Sequence, residues 1–192
     1  MGFALAAQAA AMGADVCLVC GPVNQLTPPG IIRRIDVVSA LQMLEVCQKE
    51  FETADITIMS AAVADFTPLH PSDRKIKKAA KSTLLQIELK PTTDILAELG
   101  SRKKPGQILV GFALETDNEL GNAYKKLHTK NLDLIVLNSM NDKGAGFGTP
   151  TNKVSMISPK GKINTTPLLL KEEIAILILK QIIDNFPDNT TE

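Results

Sequence analysis

Apolar runs of strand length alternate with helical patterns along this chain, and this alternation limits the possible folds more than any other feature. The strand-like runs include ADVCLVCG, QILVGFALET and LDLIVLNS, and one helical pattern between them is SALQMLEVCQKEF. Such alternation is typical of βαβ units, because two parallel strands must be joined by a crossover that is usually a helix. The sequence therefore predicts an α/β fold with a mainly parallel sheet flanked by helices.

The C-terminal part departs from this alternation. KVSMISPKGKINTT predicts a β-hairpin with its turn at SPKGK, and LKEEIAILILKQIIDNF predicts a final helix. The sequence shows no internal repeat or low-complexity segment, and 192 residues are the size of one domain. We predict a single domain over residues 1–192, with an extra hairpin and helix at its C-terminal end.

The charge of the chain is balanced, with 21 Lys and Arg residues against 21 Asp and Glu residues. No overall field draws such a protein to nucleic acid or to an acidic membrane surface, so any cationic site must be local. The apolar run Ile174–Leu179 is far shorter than the roughly 20 residues that span a bilayer. We expect a cytoplasmic protein without nucleic-acid or membrane partners.

The N-terminal end lacks a part that the predicted fold normally has. A doubly wound sheet usually begins with a strand and a glycine-rich turn whose N–H groups bind phosphate. This chain begins with the helical pattern FALAAQAAAMG, and it contains no GxGxxG or P-loop pattern. Either phosphate is bound elsewhere, or the first strand and its glycine-rich turn are missing.

The stretch SAAVAD ends a predicted strand, ADITIMSAAVAD. Ligands of open α/β sheets bind beyond the carboxyl ends of the strands, so the residues there are candidate site residues. The small side chains of Ala61, Ala62 and Ala64 would let a ligand reach the main chain, and Asp65 could accept hydrogen bonds from ribose hydroxyls or hold a metal. The alternative is that the alanines make room for helix packing and Asp65 caps a turn.

Positive charge follows this strand in the run RKIKK, which contains Lys75, Lys77 and Lys78 and comes after a proline-containing loop. A charged run is most often a solvated surface. Next to a ligand site, however, a mobile arm can deliver ammonium groups to a polyphosphate and then release the product.

Two further features indicate anion binding, and each has an alternative. Lys126 and Lys130 are four residues apart in AYKKLHTKNLD, so they share a helix face; either an anion lies between them or the helix macrodipole favours both. In PTTDILAELG, Thr93 is the expected N-cap of a short helix that Gly100 closes. The free N–H groups in the first turn of this helix could hold a phosphate. Asp94 beside Thr93 would repel such an anion.

The cysteines and histidines indicate no metal or redox site. Cys17 and Cys20 have CxxC spacing but lie in a predicted strand, where positions three apart point to opposite faces. No convincing metal cluster, Ser/His/Asp set or Cys/His pair is present, so metal ligands stay unknown.

Five motifs carry a resemblance to a known family: SAAVADF, KIKK, LVGFALET, the lysine-containing AYKKLHTKNLD and FGTPTNKV occur in this order. The chain closely resembles phosphopantothenoylcysteine synthetase, the ligase domain that in most bacteria is fused behind a flavin-dependent phosphopantothenoylcysteine decarboxylase. The similarity runs from Gly2 to about Phe186. It implies a Rossmann-like fold, a homodimer, and joining of 4'-phosphopantothenate to L-cysteine with CTP and Mg²⁺ through an acyl-cytidylate, in coenzyme A biosynthesis.

The resemblance also implies roles for individual residues. Lys75 would be the catalytic lysine of a flap and act at the acyl-phosphate. The other expected nucleotide-binding residues are Ala61, Ala62 and Val63 for the cytosine, Asp65 for the nucleotide, Thr93, Asp94, Ile95 and Leu96 around the phosphates, Phe112 beside the nucleotide, and Lys126 and Lys130 for the triphosphate.

The N-terminus departs from the family pattern, because the family's first strand, glycine-rich turn and catalytic asparagine precede the position that corresponds to MGFALA. We therefore expect the 192-residue chain to be N-terminally truncated and to turn over little substrate alone. Two other functions stay open: a catalytically incomplete nucleotide-binding or dimerisation module, and an NAD-dependent oxidoreductase, although its glycine fingerprint is lacking.

Overall fold

The computed structural model describes residues 1–77, 85–139 and 148–185. Their helices are α1 (Gly2–Ala11), α2 (Ala40–Phe51), α3 (Ile95–Arg102), α4 (Glu119–Thr129) and α5 (Lys171–Asn185). Their strands are β1 (Val16–Cys20), β2 (Ile32–Asp36), β3 (Ile56–Met59), β4 (Phe66–Pro68), β5 (Leu89–Pro91), β6 (Ile108–Glu115), β7 (Leu134–Ser139), β8 (Thr151–Asn152), β9 (Val154–Ile157), β10 (Ile163–Thr165) and β11 (Leu169–Leu170).

The main sheet has five strands in the order β10-β9-β7-β6-β3. The strands β3, β6 and β7 are parallel, whereas β9 and β10 are the antiparallel hairpin predicted from the C-terminal sequence. In the register, Met59 at the end of β3 lies opposite Gly111 in β6. The next residues of both segments therefore meet at the carboxyl edge of the sheet.

Helices cover both faces of the sheet, as the alternating sequence pattern predicts. Successive β6 residues point to opposite faces: Leu109 packs with α2, α3 and α4, and Val110 packs with α1 and α5. The apolar residues of each helix supply the two halves of the core, and Ile135 and Val136 of β7 are both fully buried. The predicted α/β class with a parallel sheet flanked by helices is confirmed.

The strands β1 and β2 form a separate parallel pair, and among the described residues no ladder joins β1 to β3. Val19 of β1 and Met59 of β3 nevertheless pack against the same half of the core. Residues 16–19 of β1 are only partly buried and Ile56 of β3 is exposed, whereas residues 134–137 of β7 are buried. The side of the fold formed by β1 and β3 is therefore more exposed to solvent than β7.

Three predicted boundaries are wrong. The strand expected to run to Asp65 ends at Met59, and residues 60–64 follow as irregular chain. The helix expected to close at Gly100 continues to Arg102. Gly100 lies inside it, where the missing side chain lets the backbone at Lys130 pack closely against the helix. Thr93 is not the N-cap of this helix; Asp94 is, since its carboxylate accepts a hydrogen bond from the Ala97 N–H.

No helix within the part of the chain that the structure describes has the length and apolar content needed to cross a lipid bilayer.

Candidate functional site

A cavity of about 200 Å³ lies at the carboxyl ends of β3 and β6. Its lining includes three of the predicted nucleotide residues, namely Ala61 and Ala62 from the chain after β3 and Phe112 from β6. Polar side chains of Asn138, Asn152 and Lys171 also reach it. The position agrees with the rule that ligands of open α/β sheets bind at this edge.

The chain after β3 is suited to main-chain recognition. Ala61 and Ala62 are exposed and lie outside any strand, so their N–H and C=O groups are not committed to the sheet ladder. Val63 differs from them, because its side chain packs against the core on the side of α2, α3 and α4. Val63 therefore anchors this segment, while the two alanines border the cavity.

Thr92 joins this segment to the start of α3. Its hydroxyl donates a 2.7 Å hydrogen bond to the carbonyl of Ala64, and its N–H donates a 2.9 Å hydrogen bond to the carbonyl of Asp65. Asp65 is exposed beside this junction. The structure thus brings Asp65 next to the predicted phosphate segment, residues 93–96, and the sequence analysis missed Thr92 as the residue that does so.

The N-terminus of α3 is capped by a charged side chain. Asp94 Oδ1 accepts a 3.0 Å hydrogen bond from the Ala97 N–H. Burial alone would raise the pKa of Asp94, but the hydrogen bonds from Lys130 and from the Ala97 and Leu96 N–H groups hold this pKa below its ordinary value. Asp94 is therefore ionised at neutral pH, and its carboxylate occupies the place where an anion would bind.

Both predicted phosphate lysines form ion pairs. Lys130 Nζ lies 2.7 Å from Asp94 Oδ2, so a side chain from the C-terminal end of α4 reaches the N-terminus of α3. Lys126 Nζ lies 2.6 Å from Glu115 Oε1 at the end of β6. Neither lysine lines the cavity that holds Ala61, Ala62 and Phe112. The structure therefore separates the predicted nucleotide residues into a cavity group and a lysine group.

A close contact fixes α4 against α3. Asn131 adopts a left-handed conformation (φ 51°) and its side-chain amide donates to the Gly100 carbonyl at 3.0 Å. The Lys103 ammonium lies 2.9 Å from both carboxylate oxygens of Asp133, which also accepts from the Leu109 N–H. These contacts give Asn131 and Asp133 of the KNLD motif structural roles, and they fix the chain that follows Lys130.

Lys75 lies on an arm that leaves the sheet beside Asp65. The stem of the arm is the antiparallel pair of β4 and β5, extended by a 2.8 Å hydrogen bond from the Leu69 N–H to the Glu88 carbonyl. Residues 71–77, including Lys75 and Lys77, are exposed. Lys78 lies outside the described residues. The expected lysine-bearing segment is present. It begins next to Asp65, and Lys75 lies beyond the β4–β5 pair, farther from the sheet along the chain.

The cysteines offer no reactive centre. Cys17, Cys20 and Cys47 are all unpaired thiols, and burial is the first cause that raises the pKa of each, to about 11 for Cys47. They are therefore protonated at neutral pH. Within residues 1–77, 85–139 and 148–185, no group of three His, Cys, Asp or Glu side chains is placed to hold a metal ion.

Residues 1–186 match the family described as DNA/pantothenate metabolism flavoprotein C-terminal domain. A protein named cysteine/cysteine sulfinic acid decarboxylase, from an unknown prokaryotic organism, is 52% identical over 95% of this chain and 50% of its own length. The coenzyme A biosynthesis bifunctional protein CoaBC of Bacillus subtilis (strain 168) is 46% identical over 95% of this chain and 44% of its own length. The chain spans about half the length of the curated relatives it matches.

Two solved structures share the fold. A crystal structure of the C-terminal domain of CoaBC is 37% identical, has a TM-score of 0.79, and is matched over 97% of this chain and 82% of that chain. A Cab2 mutant in complex with phosphopantothenate-cysteine is 20% identical with a TM-score of 0.63, over 81% of this chain and 53% of that one. The second likeness concerns the fold alone. The chain belongs to the family of DNA/pantothenate metabolism flavoprotein C-terminal domains, which confirms its resemblance to the phosphopantothenoylcysteine synthetase domain.

Proposed function

We propose that this chain is the ligase domain that joins 4'-phosphopantothenate to L-cysteine in coenzyme A biosynthesis, with CTP as the activating nucleotide and an acyl-cytidylate as the intermediate. Family membership and the 46% identity to a CoaBC protein support the ligase role. One observation carries the assignment to this site: through Thr92, the cavity segment after β3 is hydrogen-bonded to the α3 start that bears the Asp94–Lys130 pair.

The proposed reaction has two steps. The carboxylate of 4'-phosphopantothenate attacks the α-phosphate of CTP, so an acyl-cytidylate forms and pyrophosphate leaves. The amine of cysteine then attacks the acyl carbon, loses a proton and displaces CMP, which leaves an amide. Both steps build negative charge next to existing phosphates, so fixed cations are the main requirement for catalysis.

The lysines of this chain supply such cations. Lys126 and Lys130 would hold the triphosphate from the side of α4, and Lys75 would reach the reacting phosphorus when the arm closes. Exposed Ala61 and Ala62 would bind cytosine through their main-chain groups, with Phe112 beside the base. Asp65 would accept hydrogen bonds from the ribose. The main-chain groups of residues 93–96 would face the phosphates.

Magnesium is the cofactor that we propose for this site, as a partner of the nucleotide. Mg²⁺ is usually bound by one or two carboxylates together with substrate phosphates. Asp65 is an exposed carboxylate at the site, and the described residues form no all-protein cage for a metal. The ion would be held mainly by the nucleotide phosphates and would neutralise part of their charge, while Asp65 binds the ribose.

The relatives support a partner domain, since the chain matches about half of bifunctional CoaBC proteins. We propose that this partner is a flavin-dependent phosphopantothenoylcysteine decarboxylase. We also propose that the chain forms a homodimer in the cytoplasm, in line with its family resemblance. The decarboxylase name of the 52% identical relative describes a protein of which this chain matches 50%, so that name does not fix the reaction of this half.

The alternative function is a nucleotide-binding or dimerisation module without turnover. The observation that favours it is that carboxylates pair with both phosphate lysines, since each pair neutralises charge that the lysine would otherwise offer to a triphosphate. The two functions differ in product formation. The module would bind nucleotide or a second copy but would release no pyrophosphate.

The test is a turnover assay with purified protein, run on the 192-residue chain and on the full-length gene product. Each is incubated with 4'-phosphopantothenate, cysteine, Mg²⁺ and either CTP or ATP, and pyrophosphate and phosphopantothenoylcysteine are quantified. Omission of cysteine should leave the first step intact and trap the acyl-cytidylate. Asp65→Asn should slow the reaction, whereas Asp73→Asn, which removes another exposed carboxylate from the arm, should not.

Product formed with CTP by the full-length protein, and slowed by Asp65→Asn alone, supports the ligase. Nucleotide binding without pyrophosphate release from either protein would favour the module instead. Equal rates for Asp65→Asn and the wild type would remove Asp65 from the site.

A further inference from the structure

The two ion pairs of the phosphate lysines differ in which partner faces solvent. In the Lys126–Glu115 pair, the lysine side chain is 40% exposed and the carboxylate side chain 13%. In the Lys130–Asp94 pair the order is reversed, with 20% for the lysine and 52% for the aspartate. Glu115 is therefore the more buried partner of its pair, whereas Asp94 is the more solvent-exposed partner of its pair.

Glu115 is also fixed by a second contact. Its Oε2 atom accepts a 3.0 Å hydrogen bond from the side-chain amide of Asn122, while Oε1 binds Lys126 Nζ at 2.6 Å. Because an ammonium group has three donors and Lys126 is well exposed, this lysine can keep Glu115 and still present donors outward. An incoming anion would meet Lys126 already oriented.

Asp94 occupies two anion-binding features at once. Its Oδ1 atom accepts the Ala97 N–H at the N-terminus of α3, and its Oδ2 atom pairs with Lys130 Nζ at 2.7 Å. A helix N-terminus and a lysine that converge on one point are the elements of a phosphate site. Here the protein's own carboxylate fills that point.

We propose that Asp94 is an internal competitor that masks Lys130 until a polyphosphate displaces it, whereas Glu115 orients Lys126 and stays in place. The inference rests on the proposed function, because it takes these lysines as phosphate ligands. It adds a cost that depends on ligand length: a ligand with one phosphate leaves Asp94 in place, whereas a triphosphate reaches Lys130 and must displace Asp94 from it. Asp94 thereby lowers the affinity for triphosphates more than the affinity for the monophosphate product.

The experiment measures binding of inorganic triphosphate, CTP and CMP to the full-length gene product by calorimetry. Asp94→Asn and Asp94→Ser remove the charge but keep an N-cap side chain, so α3 should form in both. We expect both variants to bind triphosphate about three- to tenfold more tightly, since the side chain at position 94 no longer carries a charge that competes for Lys130. Glu115→Gln should not bind more tightly than the wild type.

The matched control is Glu50→Gln, which breaks the Arg33–Glu50 ion pair on β2 and α2. It removes the same charge away from the site, so it should leave all three affinities unchanged. The gain of the Asp94 variants should be smaller for CMP than for CTP, because only the longer ligand reaches Lys130.

The outcomes separate this inference from the proposed function. Unchanged or weaker triphosphate binding by both Asp94 variants, or equal gains for Asp94→Asn and Glu115→Gln, would overturn the inference even if the protein makes product. Tighter binding of inorganic triphosphate by the Asp94 variants supports the inference. If neither the wild type nor any variant binds CTP, the assignment of the nucleotide is wrong, but the masking of Lys130 stands.

Discussion

The hydroxyl of Thr92 donates a 2.7 Å hydrogen bond to the carbonyl of Ala64, and this contact connects two segments that are 28 residues apart. One segment borders the cavity at the end of β3, and the other opens α3 with Asp94. Because the lysine arm leaves and returns between them, the same contact closes the root of the arm. Thr92 is thus the point at which the cavity, the arm and the α3 anion site meet.

Thr92→Val should loosen this junction. The variant leaves the Ala64 carbonyl without its partner, so we expect a loss of about 1 kcal/mol in the free energy of unfolding and weaker CTP binding. Thr92→Ser keeps the hydroxyl and is the control. Urea unfolding and CTP titration measure the two effects, and full affinity in Thr92→Val would show that the hydroxyl does not shape the site.

Lys75 should matter for turnover and not for folding. Its side chain is exposed on the arm, where a substitution rarely changes stability by more than about 0.5 kcal/mol. We expect Lys75→Gln to keep the wild-type melting temperature and to slow formation of phosphopantothenoylcysteine by at least tenfold. Arg74→Gln, which removes the neighbouring exposed cation, serves as the control. A wild-type rate for Lys75→Gln would reject the catalytic role.

Lys126→Met and Lys130→Met should each weaken CTP binding more than CMP binding. The structure adds a stability effect, because each lysine has a carboxylate partner: Lys126→Met leaves Glu115, which is 13% exposed, without its cation. We expect that variant to lose about 1–3 kcal/mol of stability. Lys125→Met on the exposed side of α4 is the control. Equal losses for CTP and CMP in the lysine variants would point to a structural role alone.

How far the sequence predicted the site can be judged from individual residues. The carboxyl edge of the sheet and the exposed alanines followed from strand patterns and small side chains, and both are where the rule for open α/β sheets puts them. The ion pairs did not follow, because Lys130 and Asp94 are 36 residues apart and meet only when α4 packs on α3. The spacing of Lys126 and Lys130 predicted a shared helix face, with either an anion between the lysines or a macrodipole effect, yet each charge is neutralised by a carboxylate from another element.

The predicted ends of β3 and α3 were wrong for a related reason. An apolar run predicts a buried strand, but small apolar residues such as Ala61 and Ala62 also occur in exposed irregular chain. The stretch Ser60–Ala64 reads as a continuation of β3, but the ladder with β6 ends at the Met59–Gly111 pair, and Ser60, Ala61 and Ala62 then line the cavity. Gly100 reads as a helix end, and it lies inside α3 because the packing of α4 requires a residue without a side chain.

Gly100→Ala tests that packing. A Cβ atom at this position would lie 1.9 Å from the Lys130 carbonyl oxygen, far closer than atoms can approach, so the backbones must separate. Helix propensity favours alanine by about 1 kcal/mol, and overpacking costs about 1–3 kcal/mol, so we expect a net loss of stability together with weaker triphosphate binding. Ser101→Ala is the control. A stabilised Gly100→Ala protein would contradict the close contact.

The pH dependence of stability should report the state of Asp94. Hydrogen bonds from Lys130, Ala97 and Leu96 bring the pKa of this carboxyl below its ordinary value despite partial burial. The unfolded chain has an Asp pKa of about 3.9. Because the folded-state pKa is the lower one, ionised Asp94 contributes stability that is fully present above the unfolded pKa and is lost as the pH falls through the folded pKa.

The measurement is urea unfolding of the wild type and Asp94→Asn at neutral pH and at several pH values below about 4, where the unfolded carboxyl protonates. We expect the wild type to be the more stable protein at neutral pH, since asparagine keeps the cap but loses the Lys130 pair, and the difference to shrink as the pH falls. Asp73→Asn, an exposed carboxylate on the arm, shows whether loss of any negative charge has this effect. A difference that grows on acidification would mean that the folded state raises the pKa of Asp94, and the carboxylate could not then be held by Lys130 and the α3 N-terminus.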